Sequence, residues 1–148
     1  MNALLTAIVT WLSINFSLPA VHEHPGIELV PPMRMAALRY RGLVSDRQPQ
    51  SISIDPGHGI VALYDREKNI IYLPEGWTGT TPAELSVLVH EMVHHVQNVA
   101  GEQFECAAAM EKTAYAAQAK WLELFGRTLE EEFEIDELTL LLRTRCLH

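Results

Sequence analysis

The sequence predicts an α+β fold, with a small antiparallel or mixed sheet followed by two helices that share a set of metal-ligating side chains. Three observations carry this reading. Residues 60–64 and 70–73 are short apolar runs joined by Asp65-Arg66-Glu67-Lys68-Asn69, the pattern of a hairpin. Directly after them, Thr81-Pro82-Ala83-Glu84 opens a helix in which His90 and His94 stand four residues apart. A second helical stretch follows Gly101 and carries Glu111. With 148 residues and no low-complexity tract or internal repeat, the chain reads as a single domain over residues 1–148.

At the N-terminus, Asn2, Thr6, Thr10, Ser13 and Ser17 recur every three or four positions and leave Leu5, Ile8, Trp11, Leu12 and Phe16 as an apolar stripe. That periodicity favours an amphipathic first helix within residues 1–20. The competing reading is a signal peptide, supported by length, apolarity and the small residues near Pro19-Ala20, but no basic side chain precedes Arg34. This choice sets the compartment: periplasmic or secreted if a signal exists here or upstream, cytoplasmic otherwise.

Residues 26–30 then read as a strand ended by Pro31-Pro32, and residues 33–40 as a short helix with Arg34 and Arg39 exposed. Residues 45–59 are loop-like, punctuated by Asp46, Pro49, Asp55, Pro56, Gly57 and Gly59. After the hairpin, Thr81 is the expected N-cap, Pro82 fills the first helical position where no N–H is needed, and Glu84 is placed to close a capping box. Leu85, Leu88, Val89, Met92, Val93 and Val96 recur at helical spacing until Gly101 offers a stop. The second helix runs through Ala119, Trp121, Leu122 and Phe125 to Gly126. Thr128 caps an acidic turn, Glu130-Glu131-Glu132, and Arg143 and Arg145 near the other end suit the helix dipole. Asp136 opens a separate turn in the alternative reading of two short helices. A solvated charged face accounts for this run, and it is assigned no chemistry.

His90-Glu91-Met92-Val93-His94 carries the chemistry. Two imidazoles at i and i+4 project from one helix face and can grip one ion, with Glu91 beside them to act as a general base. A catalytic zinc usually takes a third protein ligand. Glu102, Glu105 and Glu111 are the candidates, and Glu111 is preferred because it shares a face with Ala114, Tyr115, Gln118 and Leu122. The small Ala114 would let two helices approach closely enough to share an ion. Glu105 is second, and the plain alternative for Glu111 is a solvated helix carboxylate. His95 lies about 100° around the helix from His94, which suits packing or hydrogen bonding rather than the same metal. His22, His24 and His58 fall in loops, and His148 is terminal.

The HExxH motif at His90–His94 is the pattern of zinc-dependent peptidases, and Glu111-Lys112-Thr113-Ala114-Tyr115 is similar to the Glu-x-x-Ala-Asp/Tyr stretch that supplies the third ligand in many gluzincins. From the hairpin through Tyr115 the chain resembles small gluzincin-like domains of bacterial proteins. The resemblance implies a zincin-like fold, Zn2+ held by His90, His94 and Glu111, and peptide-bond hydrolysis by a zinc-activated water with Glu91 as general base. It also implies an oxyanion-stabilising side chain, for which Tyr115 is the first choice and Tyr72 the second. A peptide or protein substrate would lie along an edge strand, here residues 61–64.

The net charge of −8 disfavours nucleic acid and anionic membrane surfaces, and no run is long enough to cross a bilayer convincingly. In an oxidising compartment Cys106 and Cys146 could join and pin the C-terminal helix to the glutamate helix, and in the cytoplasm they would be two thiols; the sequence leaves the choice open. The chain is short for a peptidase cleft, which leaves the far wall to a partner or to a second copy in a homodimer. A zinc-binding structural or partner-interaction module without catalysis is the competing function.

Overall fold

The computed structural model describes residues 1–44, 51–53 and 62–147. Ile60, Val61, His58, His148 and most of the 45–59 segment lie outside the described residues. The fold is α+β. In chain order the described elements are α1 (Asn2–Phe16), β1 (Gly26–Val30), α2 (Pro32–Val44), β2 (Ser51–Ser53), β3 (Ala62–Asp65), β4 (Ile70–Pro74), α3 (Pro82–Val99), α4 (Ala107–Glu123), α5 (Leu129–Phe133) and α6 (Glu137–Thr144).

The sheet is mixed, in the order β1-β4-β3-β2. The expected hairpin forms as an antiparallel β3–β4 pair with Leu63 opposite Tyr72, and β1 joins β4 in parallel from Gly26 opposite Ile70 to Val30 opposite Pro74. Side chains alternate between two apolar layers, as the pleat requires. Ala62, Tyr64, Ile71 and Leu73 enter the main core with α1, α3 and α4, while Leu63 and Tyr72 pack with Val30, Met35 and Leu38 on the α2 side. Burial on both faces explains why the hairpin strands are apolar almost throughout.

Two expectations are corrected here. The strand proposed to edge the cleft does not do so over residues 62–64, because Ala62, Leu63 and Tyr64 pair with β2 on one side while β4 takes the other. Among the described strands the sheet edges are β1 and β2. Tyr72 also drops out as an oxyanion stabiliser, since it is buried on the α2 side of the sheet, away from α3.

The first helix carries Leu5, Ile8, Val9 and Leu12 into the main core, and Trp11 meets Trp121 of α4 edge to face at 5.2 Å. On the other face of the sheet, α2 extends further in both directions than residues 33–40. No helix among the described residues is long and apolar enough to cross a membrane.

The capping signals of α3 are realised with one change. Thr81 Oγ1 accepts the Glu84 N–H at 3.1 Å, as an N-cap should. The Glu84 carboxylate, however, accepts the backbone N–H and the hydroxyl of Thr78, at 2.6 and 2.8 Å, so it fastens the preceding turn. At the other end Gly101 takes a left-handed φ of 70°, a conformation that costs a side-chain-bearing residue more, and lets Glu102 N–H reach back to Gln97 O at 3.1 Å. From Ser86 to Gln97 every residue of α3 is buried. The helix is therefore enclosed on all sides, beyond the one-faced burial its apolar spacing suggested.

Residues 102–106 do not continue into helix, and α4 begins only at Ala107. Thr128 and Asp136 cap α5 and α6 through the N–H groups of Glu131 and Thr139, which settles the choice in favour of two short helices. Cys106 and Cys146 are joined by a disulfide across a sequence separation of 40, tying the end of α6 to the start of α4.

Closing a loop of that length stabilises by about 4 kcal/mol in the chain-entropy description. Yet α6 has no fully buried residue of its own. Reduction is therefore expected to release α6 locally before it unfolds the domain, costing less than the full loop-closure figure. Hydrogen exchange checks this: amides of residues 137–144 should lose protection on reduction while α3 amides keep theirs. Equal protection of α6 in both states would show that packing alone holds it.

Candidate metal centre

The centre lies between α3 and α4, whose close approach rests on Ala114 and Ala117, both fully buried. His90 and His94 come from consecutive turns of α3, with ring centroids 5.1 Å apart. Glu111 enters from the first turns of α4. His90 Nε2 lies 2.8 Å from Glu111 Oε2, and His94 Nε2 lies 3.1 Å from Glu111 Oε1. The three groups offer ligand atoms that all fall within 4.8 Å of one another.

The donor set fits zinc. Tetrahedral zinc with ligands at about 2.0–2.2 Å separates neighbouring ligand atoms by roughly 3.3–3.5 Å, so these side chains need only small shifts to surround an ion. Both rings turn Nε2 to the same point because Nδ1 is engaged elsewhere. His90 Nδ1 donates to Gln118 Oε1 at 2.8 Å, and His94 Nδ1 donates to Gln97 Oε1 at 3.0 Å. With Nδ1 donating, each Nε2 is left to face Glu111: it donates to the carboxylate while the ring is doubly protonated, and on losing that proton it presents the lone pair that a metal requires.

The glutamines are themselves anchored. Gln97 Nε2 donates to Met110 O at 3.1 Å, and Gln118 Nε2 donates to Ser86 Oγ at 3.3 Å, whose hydroxyl in turn bonds Ala83 O. Gln118 was legible only as a member of the Glu111 face, and Gln97 was missed. Its place three residues after His94 was the available signal, since side chains at that spacing meet on a helix.

Burial pushes the Glu111 carboxyl up, but the charges and hydrogen bonds of His94 and His90 outweigh it and hold the group well below the usual carboxylate range. His94 shows the counterpart. Burial lowers its pKa, and the nearby Glu111 and Glu91 carboxylates more than reverse this. The centre is thus arranged around an anionic Glu111, the form that ligates.

Glu91 is fully buried on the same helix, and solvent meets the cluster mainly past Glu111, whose side chain is 15% exposed. Tyr115, one turn beyond Glu111, sets its ring edge to face with His90 at 4.6 Å. Its hydroxyl accepts a hydrogen bond from Arg143 at 3.0 Å. Burial and the Glu111 charge raise the Tyr115 pKa, so the hydroxyl keeps its proton at neutral pH. Arg143 was read only as a helix-end charge, and its position depends on how α6 folds back onto α4.

Among the described residues the remaining candidates stay outside. Glu105 is exposed and precedes α4, which removes it as the runner-up ligand. His95 is structural, as expected: its Nε2 donates to Glu23 O at 2.6 Å, and its Nδ1 lies 3.0 Å from the Tyr64 hydroxyl. Burial pushes the Tyr64 pKa up to about 12. His24 meets Thr6 Oγ1 at 3.2 Å and ties its loop to α1.

Over residues 1–148 the chain matches the model of a family described as a domain of unknown function (DUF6647), and it belongs to that family. No curated protein and no solved structure matches it.

Proposed function

We propose that this chain is a zinc-dependent peptidase. The observation that carries the reading is the convergence of His90, His94 and Glu111 on one point, with the buried Glu91 carboxylate one residue from the first ligand. Zinc, when bound, supplies Lewis acidity that polarises a scissile carbonyl and makes water acidic near neutral pH. Glu91 takes the proton of the attacking water and delivers it to the leaving amine. Gln97 and Gln118 hold the imidazoles in register, and the protonated Tyr115 hydroxyl stands ready to donate to an oxyanion.

A metal-binding module without turnover is the second reading, and the near-complete enclosure of His90, Glu91 and His94 favours it. Among the described residues the donor group counts three, which favours catalysis. Structural zinc sites close with four protein ligands, whereas three leave a position for water or substrate.

The first test is metal content. Native mass spectrometry combined with elemental analysis is expected to find one zinc per chain, lost on replacing His90 or His94 by alanine. A metal-free protein after zinc supplementation would sink both readings. Preferential loading with iron would move the chemistry away from hydrolysis, because two histidines and a carboxylate also suit that metal.

A further inference from the structure

Resting on the peptidase reading, we propose that Arg143 anchors a substrate carboxylate, so that the centre acts on peptides whose free C-terminus lies close to the scissile bond. The guanidinium is half-buried and stands over the Tyr115 ring at 6.0 Å from its centroid, while that same ring packs on His90. One tyrosine ring therefore separates a permanent cation from a metal ligand. Arg143 spends one N–H on the Tyr115 hydroxyl. No carboxylate among the described residues forms an ion pair with it.

A guanidinium presents five N–H donors in a planar fork that matches a carboxylate with two parallel bonds. Using one donor on a phenol leaves the fork largely available, and the Tyr115 contact fixes its orientation. Charge supports the same ligand. The chain carries a net −8, which repels anions at long range, but distributed charge is screened beyond roughly 8 Å at physiological ionic strength. Beside Tyr115 the local guanidinium dominates.

The placement of Arg143 is built into the fold. It lies near the C-terminal end of α6, three residues before the cysteine whose disulfide ties that end to the start of the Glu111 helix. Asp136 caps the other end. A helix without a fully buried side chain is thus secured at both ends, with its arginine against Tyr115.

The test uses the full zinc-loaded chain carrying Glu91→Gln, so that the probe binds without being cleaved. The probes are N-benzoylglycyl-phenylalanine with a free carboxylate and the same compound as its C-terminal amide, titrated by calorimetry. The acid is expected to bind about tenfold or more tightly than the amide, as for a charged hydrogen-bonded pair. Adding Arg143→Gln should erase that preference with zinc content unchanged, and Arg143→Lys should restore part of it, which a merely structural role for the arginine would not do. Equal binding of acid and amide, binding of neither, or a preference that survives Arg143→Gln would overturn the proposal. Hydrolysis is read separately on the chain with Glu91 intact. An Arg143-dependent preference without turnover would refute the peptidase reading and leave a carboxylate-binding centre.

Discussion

Glu91→Gln is expected to leave one zinc per chain and the fold in place while hydrolysis of a mixed peptide library falls by a factor on the order of 10² or more, the usual cost of losing a positioned general base. The substitution isolates one property. Glutamine keeps the shape of the side chain and much of its hydrogen bonding, but it cannot take a proton from water. Glu91 is fully buried and glutamine matches it in volume, so no cavity opens and thermal stability should stay close to that of the parent. Melting curves and zinc content of the two proteins check these points beside the rates. Equal cleavage by both would point to a contaminant or to a mechanism without Glu91. Absent cleavage by the parent with zinc fully bound would favour the non-catalytic module.

How much of this centre the sequence disclosed follows from the range of the interactions involved. The helix of His90 and His94 was legible because its signals are local: Thr81 and Pro82 at one end, Gly101 at the other, and an apolar period between them. The caps of α5 and α6 were legible for the same reason. Sheet order was not, since the parallel pairing of β1 with β4 joins segments more than 40 residues apart and leaves no local mark. The misplaced cleft edge follows directly, because a hairpin read in isolation has two free edges and this one has lost both, to β2 over residues 62–64 and to β1 over residues 70–74. Arg143 belongs to the same class. Its position depends on a chain reversal through α5 and on the disulfide, so its contact with Tyr115 has no counterpart in residue spacing.

The other large effect expected is on zinc affinity, and the geometry ranks it. Glu111→Ala removes an anionic ligand that faces both imidazoles, so chelator competition should show a loss exceeding the upper end of the roughly 10- to 100-fold range typical of outer-shell substitutions. Gln118→Leu and Gln97→Leu should fall within that range. Each keeps the bulk of the side chain but removes the oxygen that accepts a histidine Nδ1 proton, freeing the ring to turn or to change tautomer. Glu105→Ala should leave affinity unchanged, because that carboxylate lies before α4 and outside the donor cluster. Nitrogen NMR of the imidazoles distinguishes orientation from general damage: both rings should carry the Nδ1 proton in the parent, and each leucine substitution should mix the tautomers of its own partner alone. If Glu105→Ala weakened zinc more than Glu111→Ala, the third ligand would be misassigned and the facing of α4 on α3 with it.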